Sequence, residues 1–416
     1  MDMKIYTQSV FEKWPFEDKS VQAIITSPPY YSLRKYNIPD VFIGGDRNCG
    51  HEFVELFTPT KGEKSHPDRL PSVGSNRVMS DMDIRGVGIT SNICIKCNAW
   101  KGQYGLEPDY KLFIAHTLLW CKEAWRVLRD DGIFFLNIGD SYPSGGGKAI
   151  EQSFKRQYAI DTGAYPDNNP SAKLRSSKPK CKLMIPHRIA IALIDEGGWT
   201  LRNDIIWEKG NSLPESVQDR FSKKYENIFM FVKNPKKYYF NLDAIRVPWE
   251  QESILRLFRG VNETNKYNTA EFGQSISSMA KPRPNRTNLN VDIIKNIKYN
   301  NEEFGQQTQG KITGHSGYFD KNGNFIGNIK GKNLGDVWKI NTQPSSIRHY
   351  AMWPRKLVEL MLLCSTKEGD IVLDPFAGSA TTLKVAIENN RKAVGIDLGY
   401  KDIQEENLKN IQVNLL

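Results

Sequence analysis

The stretch from Gly369 to Asp397 leaves few folds open to this chain. Gly369-Asp370 reads as a turn, Ile371-Val372-Leu373 as a buried strand ending at Asp374, and Phe376–Ser379 as a loop. A helix follows over Ala380–Glu388, then a strand over Lys392–Ile396 with Asp397 at its end. Short apolar runs bounded by turn residues are strands covered on both faces, and a helix between them belongs to an α/β unit. Strand, Gly-containing loop, helix, strand and acidic residue make half of a nucleotide-binding unit. A carboxylate in the place of Asp397 can accept both hydroxyls of a ribose. The loop has neither G-x-G-x-x-G nor Gly-Lys-Ser/Thr, so it offers no cradle for a pyrophosphate or triphosphate. Asp374 adds negative charge where phosphate would be repelled. An adenosine carrying a cationic tail suits such a loop better than NAD or ATP.

Other regular segments extend the same pattern. Residues 4–25 read as a strand, a turn around Trp14-Pro15 and a second strand. Pro108 is expected to open a helix whose buried face carries Leu112, Leu119, Trp120, Ala124, Val127 and Leu128. Asp130-Asp131-Gly132 reads as a turn and Ile133–Ile138 as a buried strand. A helix from Pro186 to Gly197-Gly198 and strands at Leu201–Trp207 and Asn227–Val232 follow. Pro354 starts a helix with Leu357, Leu360, Met361 and Cys364 facing inward, and a last helix begins near Lys401. The alternation implies an α/β fold with a largely parallel sheet.

Three stretches lack this regularity. Residues 37–105, rich in Gly, Ser, Asp, Asn and Pro, read as an insert with little periodicity. Residues 143–182 open with Gly145-Gly146-Gly147 and carry many lysines and arginines against few acids, including Lys178, Lys180 and Lys182. Such a loop either is simply solvated or closes over nucleic acid phosphates. Residues 250–335 are polar and contain the basic, proline-stiffened run Lys281-Pro282-Arg283-Pro284-Asn285-Arg286. The net charge of +10 favours a polyanionic partner. No apolar run approaches a membrane span and the N-terminus has no signal-peptide pattern, so a cytoplasmic protein is expected. Its six cysteines are then thiols or metal ligands rather than disulfides.

Four of the metal-ligand types sit at the ends of the first insert. Cys94-x-x-Cys97 is a common zinc half-site, and Cys49-x-His51 is a tighter, less usual one. A zinc ion on these four would be structural, because no coordination position stays open. Two unrelated thiol pairs in a loop is the plainer alternative.

Thr26-Ser27-Pro28-Pro29-Tyr30 follows the apolar run Val21–Ile25. Two prolines cannot continue a sheet, so the chain must leave the strand as a stiff, extended loop. That loop holds carbonyls and a Ser hydroxyl in fixed directions beside an aromatic ring. An exocyclic amine on a planar base needs such acceptors for its N–H groups and such a surface to stack on.

Thr26–Tyr30 and Asp374–Thr382 together resemble the two signature motifs of amino-methylating DNA methyltransferases, which modify cytosine N4 or adenine N6 using S-adenosylmethionine. Asp18-Lys19-Ser20-Val21, Asp336-Val337-Trp338, His349–Pro354 and Gly395-Ile396-Asp397 are similar to further segments of that family. The catalytic motif precedes the cofactor motif, as in the permuted, beta-type order. The resemblance implies a Rossmann-like methyltransferase sheet with polar inserts. It divides the chain into a catalytic half (1–36 and 106–142), a zinc-binding insert (37–105) and a basic DNA-contacting loop (143–182). A core continuation (183–249), a target-recognition region (250–335) and a cofactor-binding half (336–416) complete the division. By the same resemblance Ser27, Pro28, Pro29 and Tyr30 are catalytic. Thr26, Asp374, Pro375, Phe376, Gly378, Ser379, Asp397, His349 and Pro354 are expected at the cofactor. Lys178, Lys180, Lys182, Lys281, Arg283 and Arg286 are expected on double-stranded DNA, and a cognate restriction endonuclease is a further partner to expect. The first insert resembles that of a zinc-bearing subset. Ala380 stands where the family usually has Gly, which is expected to narrow the loop without abolishing binding.

Ser27 before the prolines points to cytosine N4, since adenine-N6 enzymes more often have Asp or Asn there. Adenine N6 remains the alternative. Cytosine C5 chemistry is disfavoured by the absence of a Pro-Cys dipeptide. Protein glutamine methylation would normally place the cofactor motif first. A non-catalytic DNA-binding module is opposed by the intact Ser27, Tyr30, Asp374 and Asp397.

Overall fold

The computed structural model describes residues 3–33, 36–59, 86–142, 180–212, 215–248, 330–342 and 354–409. They fall into two compact units, Met1–Tyr239 with Trp338–Leu416, and Phe240–Val337. In the second unit the described residues hold a short 3-10 turn, Leu242–Ile245, and a bridge between Val247 and Lys332.

In chain order the strands are β1 (Met3–Thr7), β2 (Val21–Thr26), β3 (Val41–Ile43), β4 (Phe53–Pro59), β5 (Gly86–Cys94), β6 (Trp100–Gly102) and β7 (Leu128–Ile138). They continue with β8 (Thr200–Glu208), β9 (Tyr225–Val232), β10 (Val337–Lys339), β11 (Ile371–Asp374) and β12 (Lys392–Asp397). The α-helices are α1 (Tyr110–Val127), α2 (Ile185–Asp195), α3 (Arg355–Ser365), α4 (Thr381–Glu388) and α5 (Lys401–Leu408). Among the described residues an eight-stranded sheet runs in the order β1-β12-β11-β2-β7-β9-β8-β10. The pairs from β1 to β7 are parallel, and those of β9 with β7 and β8 are antiparallel. The expected α/β sheet is therefore present, with an antiparallel extension on the β7 side. β2 is buried along its whole length, as an all-apolar central strand must be. No helix among the described residues is long and apolar enough to cross a membrane.

Three local expectations need correction. The stretch 37–105 is not merely irregular: β3, β6, β5 and β4 form a four-stranded antiparallel sheet. Gly and Ser alternate with Val and Ile in β5, and that dilution hid the strand period. Its ends also join the main core, since Ile43, Trp100 and Tyr104 are buried there.

Pro108 does not open α1. Asp109 caps it, its carboxylate accepting the Lys111 amide at 2.7 Å, so the helix starts two residues later. The buried face is correspondingly turned: Phe113, Thr117 and Cys121 join Trp120, Ala124 and Val127, whereas Leu112 and Leu119 are only half-buried.

Asp130-Asp131-Gly132 is not a turn between helix and strand. α1 passes directly into β7, and these residues form an irregularity facing β2, where the pairing jumps from Val21–Leu128 to Ala23–Ile133. A Cβ on Gly132 would lie 2.7 Å from the Gln22 carbonyl oxygen, so only glycine fits there.

Candidate functional site

Parallel strands β12, β11, β2 and β7 end on Asp397, Asp374, Thr26 and Ile138. Four neighbouring strand ends thus bring the sequence motifs to one rim of the sheet, where open α/β sheets hold ligands.

Asp374 is 2% exposed and its carboxylate is closed by internal donors. The Thr26 hydroxyl donates to Oδ1 at 2.7 Å, the Phe376 amide to the same oxygen at 3.0 Å, and the Thr382 hydroxyl to Oδ2 at 2.7 Å. Burial pushes its pKa up to about 6 against the pull of those donors. Asp397 is half-buried, with Oδ2 accepting the Gly378 amide at 2.7 Å and Oδ1 the Gly399 amide at 2.9 Å. Burial likewise raises its pKa to about 6.

The loop between them turns twice in the left-handed region, at Gly378 (φ +51°) and Ala380 (φ +63°). That conformation costs an alanine roughly 1 kcal/mol over glycine, which gives a backbone reason for the family's usual Gly. The Ala380 methyl is fully buried. α5 braces the loop from outside: Gln404 Nε2 donates to the Gly378 carbonyl at 3.0 Å and Asn407 Nδ2 to the Ser379 carbonyl at 2.6 Å.

An open cleft lies beside this loop. Pro375, Phe376, Gly378, Ser379 and Asp397 line it, and Ser27 and Pro29 face it from the loop that follows β2. Phe376 is held by rings on two sides, stacked on Tyr104 at 5.6 Å and edge-on to Trp120 at 5.2 Å. The remaining wall was missed by sequence reasoning. It comes from Ser9-Val10-Phe11 after β1, from Tyr36, Ile38 and Val41, and from Gln103 and Tyr104. These residues sit in segments that read as loops, and only the buried core partners of Tyr104 mark them out.

On the other side of Ser27 lies a polar cluster. Tyr30 Oη is 2.7 Å from Glu226 Oε2, 2.9 Å from Asn137 Oδ1 and 3.3 Å from Ser27 Oγ. Ser27 Oγ donates to Asn137 Oδ1 at 3.2 Å, and Lys209 pairs with Glu226 Oε1. Burial lifts the Tyr30 phenol well above its ordinary pKa, with the Glu226 charge adding to it. The Tyr30 ring rests on the bare Cα of Gly139, where a Cβ would come within 2.6 Å. Behind the prolines, Gly105 takes φ +97° and its carbonyl accepts the Ser32 amide at 2.7 Å. Buried Glu107 accepts the Gly105 amide at 2.8 Å while its other oxygen meets buried His116 at 2.9 Å. Asn137 is a polar residue within the apolar run 133–138, a signal that sequence reading could have used. Glu226 gives no local signal.

Cys49, His51, Cys94 and Cys97 converge, their ligand atoms all within 4.8 Å of one another. Cys49 Sγ to Cys94 Sγ is 3.9 Å and Cys97 Sγ to His51 Nδ1 is 3.4 Å. A tetrahedral zinc with bonds of about 2.0–2.3 Å separates its ligand atoms by about 3.5–3.8 Å, so the donor set and its spacing fit that ion. Gly45 closes over the cluster, with room for no Cβ between Ala99 and Cys97 Sγ.

The other expected residues are not drawn together. Pro354 is buried as the cap of α3 and does not line the cleft. Lys180 pairs with Asp219 at 2.5 Å, and Lys182 donates to Tyr225 Oη at 3.1 Å. His349, Lys178, Lys281, Arg283 and Arg286 lie outside the described residues.

A family model described as DNA methylase, for N6 and N4 methyltransferases, matches residues 21–406. The type II methyltransferase M.Cfr9I of Citrobacter freundii is 31% identical over 316 residues, covering 76% of this chain and 77% of that protein. M.SmaI of Serratia marcescens, another type II methyltransferase, is 30% identical over 309 residues, covering 74% and 77%. Among solved structures, the cytosine-N4-specific PvuII DNA methyltransferase superposes with a TM-score of 0.48 at 13% identity, covering 100% of this chain and 89% of that one.

Proposed function

This chain belongs to the N6/N4 DNA methylase family, and we propose that it methylates N4 of a cytosine turned out of duplex DNA. The residue that carries the choice of base is Ser27, which opens Ser27-Pro28-Pro29-Tyr30 where adenine-N6 enzymes more often place Asp or Asn. S-adenosylmethionine, when bound, supplies an electrophilic methyl on a sulfonium centre. Asp397 would hold its ribose hydroxyls and the Phe376–Ser379 loop its adenosine. Asp374, with both oxygens taken by Thr26, Thr382 and the Phe376 amide, would set the loop's shape and the local negative charge.

Ser27 Oγ and the Pro28 carbonyl accept hydrogen bonds from the target amine, and Tyr30 packs against the base. Those bonds leave the nitrogen lone pair aimed at the methyl, so the protein contributes position and electrostatics without a covalent intermediate. Lys180, Lys182 and the basic segments around Lys178 and Lys281–Arg286 would meet phosphates. Residues 250–335 would read the sequence. As a type II relative would, the protein acts beside a cognate restriction endonuclease.

Zinc on Cys49, His51, Cys94 and Cys97 would tie β3, β5 and β6 together and take no part in methyl transfer. Elemental analysis should find about one zinc per chain, lost together with protease resistance of residues 37–105 in Cys94→Ser/Cys97→Ser. A metal-free protein with the same resistance would refute that site.

The functional reading is tested by offering labelled S-adenosylmethionine with duplex DNA. Label should enter the DNA and not the protein, and Ser27→Ala should abolish most of it. Label confined to protein, or no transfer at all, would overturn the assignment.

A further inference from the structure

Tyr30 carries one hydroxyl hydrogen and has three acceptors around it: Glu226 Oε2, Asn137 Oδ1 and Ser27 Oγ. Glu226 is the nearest at 2.7 Å, and its pairing with Lys209 marks it as a carboxylate, which can only accept. A charged acceptor at that distance outcompetes a neutral one at 2.9 Å or 3.3 Å. Burial of the phenol keeps the hydrogen on Tyr30. Glu226 therefore accepts the Tyr30 hydrogen bond, and Asn137 Oδ1 is left to the Ser27 hydroxyl at 3.2 Å. The Asn137 amide cannot turn over, because its Nδ2 donates to the Asn227 carbonyl at 3.1 Å.

We infer that Glu226, acting through Tyr30 and Asn137, turns the Ser27 hydroxyl hydrogen away from the base, so that Ser27 meets the amine as an acceptor only. The inference rests on the methyl-transfer reading above. Its consequence for the chemistry is direct. A hydroxyl is ambivalent, since it can donate to the amine nitrogen as readily as it accepts from the amine hydrogens. A hydrogen bond donated to the nitrogen would occupy the lone pair that must attack the methyl. With its hydrogen held by Asn137, Ser27 can only withdraw an N–H and leave the lone pair exposed.

Glu226, Lys209 and Asn137 are thus positioning residues. If the Glu226 acceptor is lost, Tyr30 turns its hydrogen onto Asn137 Oδ1 and shares that oxygen with Ser27, so the Ser27 hydrogen is held less firmly away from the base.

That redirection gives a test that a merely structural role would not satisfy. Single-turnover methyl transfer to duplex DNA is measured for the parent protein, Glu226→Gln, and Glu226→Gln combined with Tyr30→Phe. Glu226→Gln should slow transfer roughly tenfold, the effect expected for one misdirected hydrogen bond. Its affinities for cofactor and DNA should stay within about twofold. Removing the Tyr30 hydroxyl leaves Asn137 with no donor but Ser27, so the double variant should be faster than Glu226→Gln alone. A double variant as slow as or slower than Glu226→Gln overturns the inference. Should Glu226→Gln fail to fold, Asn137→Leu carries the test, because it removes the acceptor itself. It should slow transfer, and adding Tyr30→Phe should give no recovery. Recovery there would equally overturn the inference. Absence of transfer to DNA by the parent protein would instead remove the reading on which it rests.

Discussion

At the ends of β11 and β12, most donors that close the carboxylates come from nearby in the chain. The Phe376 amide lies 2 residues from Asp374, Thr382 8 residues, and the Gly378 amide 19 residues from Asp397. At the ends of β2 and β7, Ser27 depends on Asn137, 110 residues away, and Tyr30 on Glu226, 196 residues away. The first cluster lies mostly within residues 374–399, with Thr26 of β2 as its distant donor. The second exists only once β2, β7 and β9 are side by side. Backbone amides fix the aim of Asp397, whereas the aim of Ser27 is fixed by side chains that hold one another. Losses in the first region should therefore appear as cofactor affinity and stability, and losses in the second as rate.

The contrast is sharpest at Ser27. Ser27→Ala should slow methyl transfer by roughly 100- to 1,000-fold, the range for one positioned polar group at a reacting centre. Binding of DNA in a mobility-shift titration should be unchanged. A variant with weakened DNA binding and an intact single-turnover rate would erase the distinction.

Asp397→Ala should weaken S-adenosylmethionine by about 100-fold in calorimetry, two hydrogen bonds to a charged acceptor being worth about 1.5–3 kcal/mol each before losses. Parent-like affinity would show that the ribose lies elsewhere.

Asp374→Ala should act on the fold as well. It leaves the Thr26 and Thr382 hydroxyls buried without their acceptor, costing about 2 kcal/mol. Urea unfolding should register that loss, and an unchanged midpoint would show that the loop does not need the carboxylate.

The smallest effect is a pH dependence. Burial raises Asp374 and Asp397 to about 6, above their unfolded values, so the folded apo-protein keeps protons that the unfolded chain releases. Their contribution to apo stability is full below the unfolded pKa and is lost as pH rises through about 6. Cofactor affinity runs the other way, because ribose hydroxyls need the Asp397 carboxylate. It should fall by up to about tenfold per unit below pH 6, and this slope should flatten in Asp397→Asn. A slope that survives the substitution would assign the titration to another group.

The same contrast explains what could be read from the sequence. Asp374, the loop and Asp397 were legible because turn, apolar run and helix period lie within thirty residues or so. The α/β sheet followed from repetition of that pattern. Cys94-x-x-Cys97 was legible by its spacing, and its convergence with Cys49 and His51 agrees with it. The four-stranded sheet within 37–105 was not, since Gly and Ser dilute β5 and its partner strand β4 lies across a long gap. Asp109 overrode Pro108 as the start of α1 because a carboxylate cap satisfies an amide that proline cannot. Glu226 was out of reach altogether. Nothing near it in the chain distinguishes it from other acids, and its meaning appears only when β9 is laid against β7.

The central claim, an amine methyltransferase whose Ser27 selects cytosine, is tested most directly on its product. Duplex DNA methylated by the purified protein is digested to nucleosides and analysed by mass spectrometry. The expected product is N4-methylcytidine in its deoxy form, appearing only with S-adenosylmethionine and nearly lost in Ser27→Ala. N6-methyladenine in its place, or DNA left unmodified, would contradict the account.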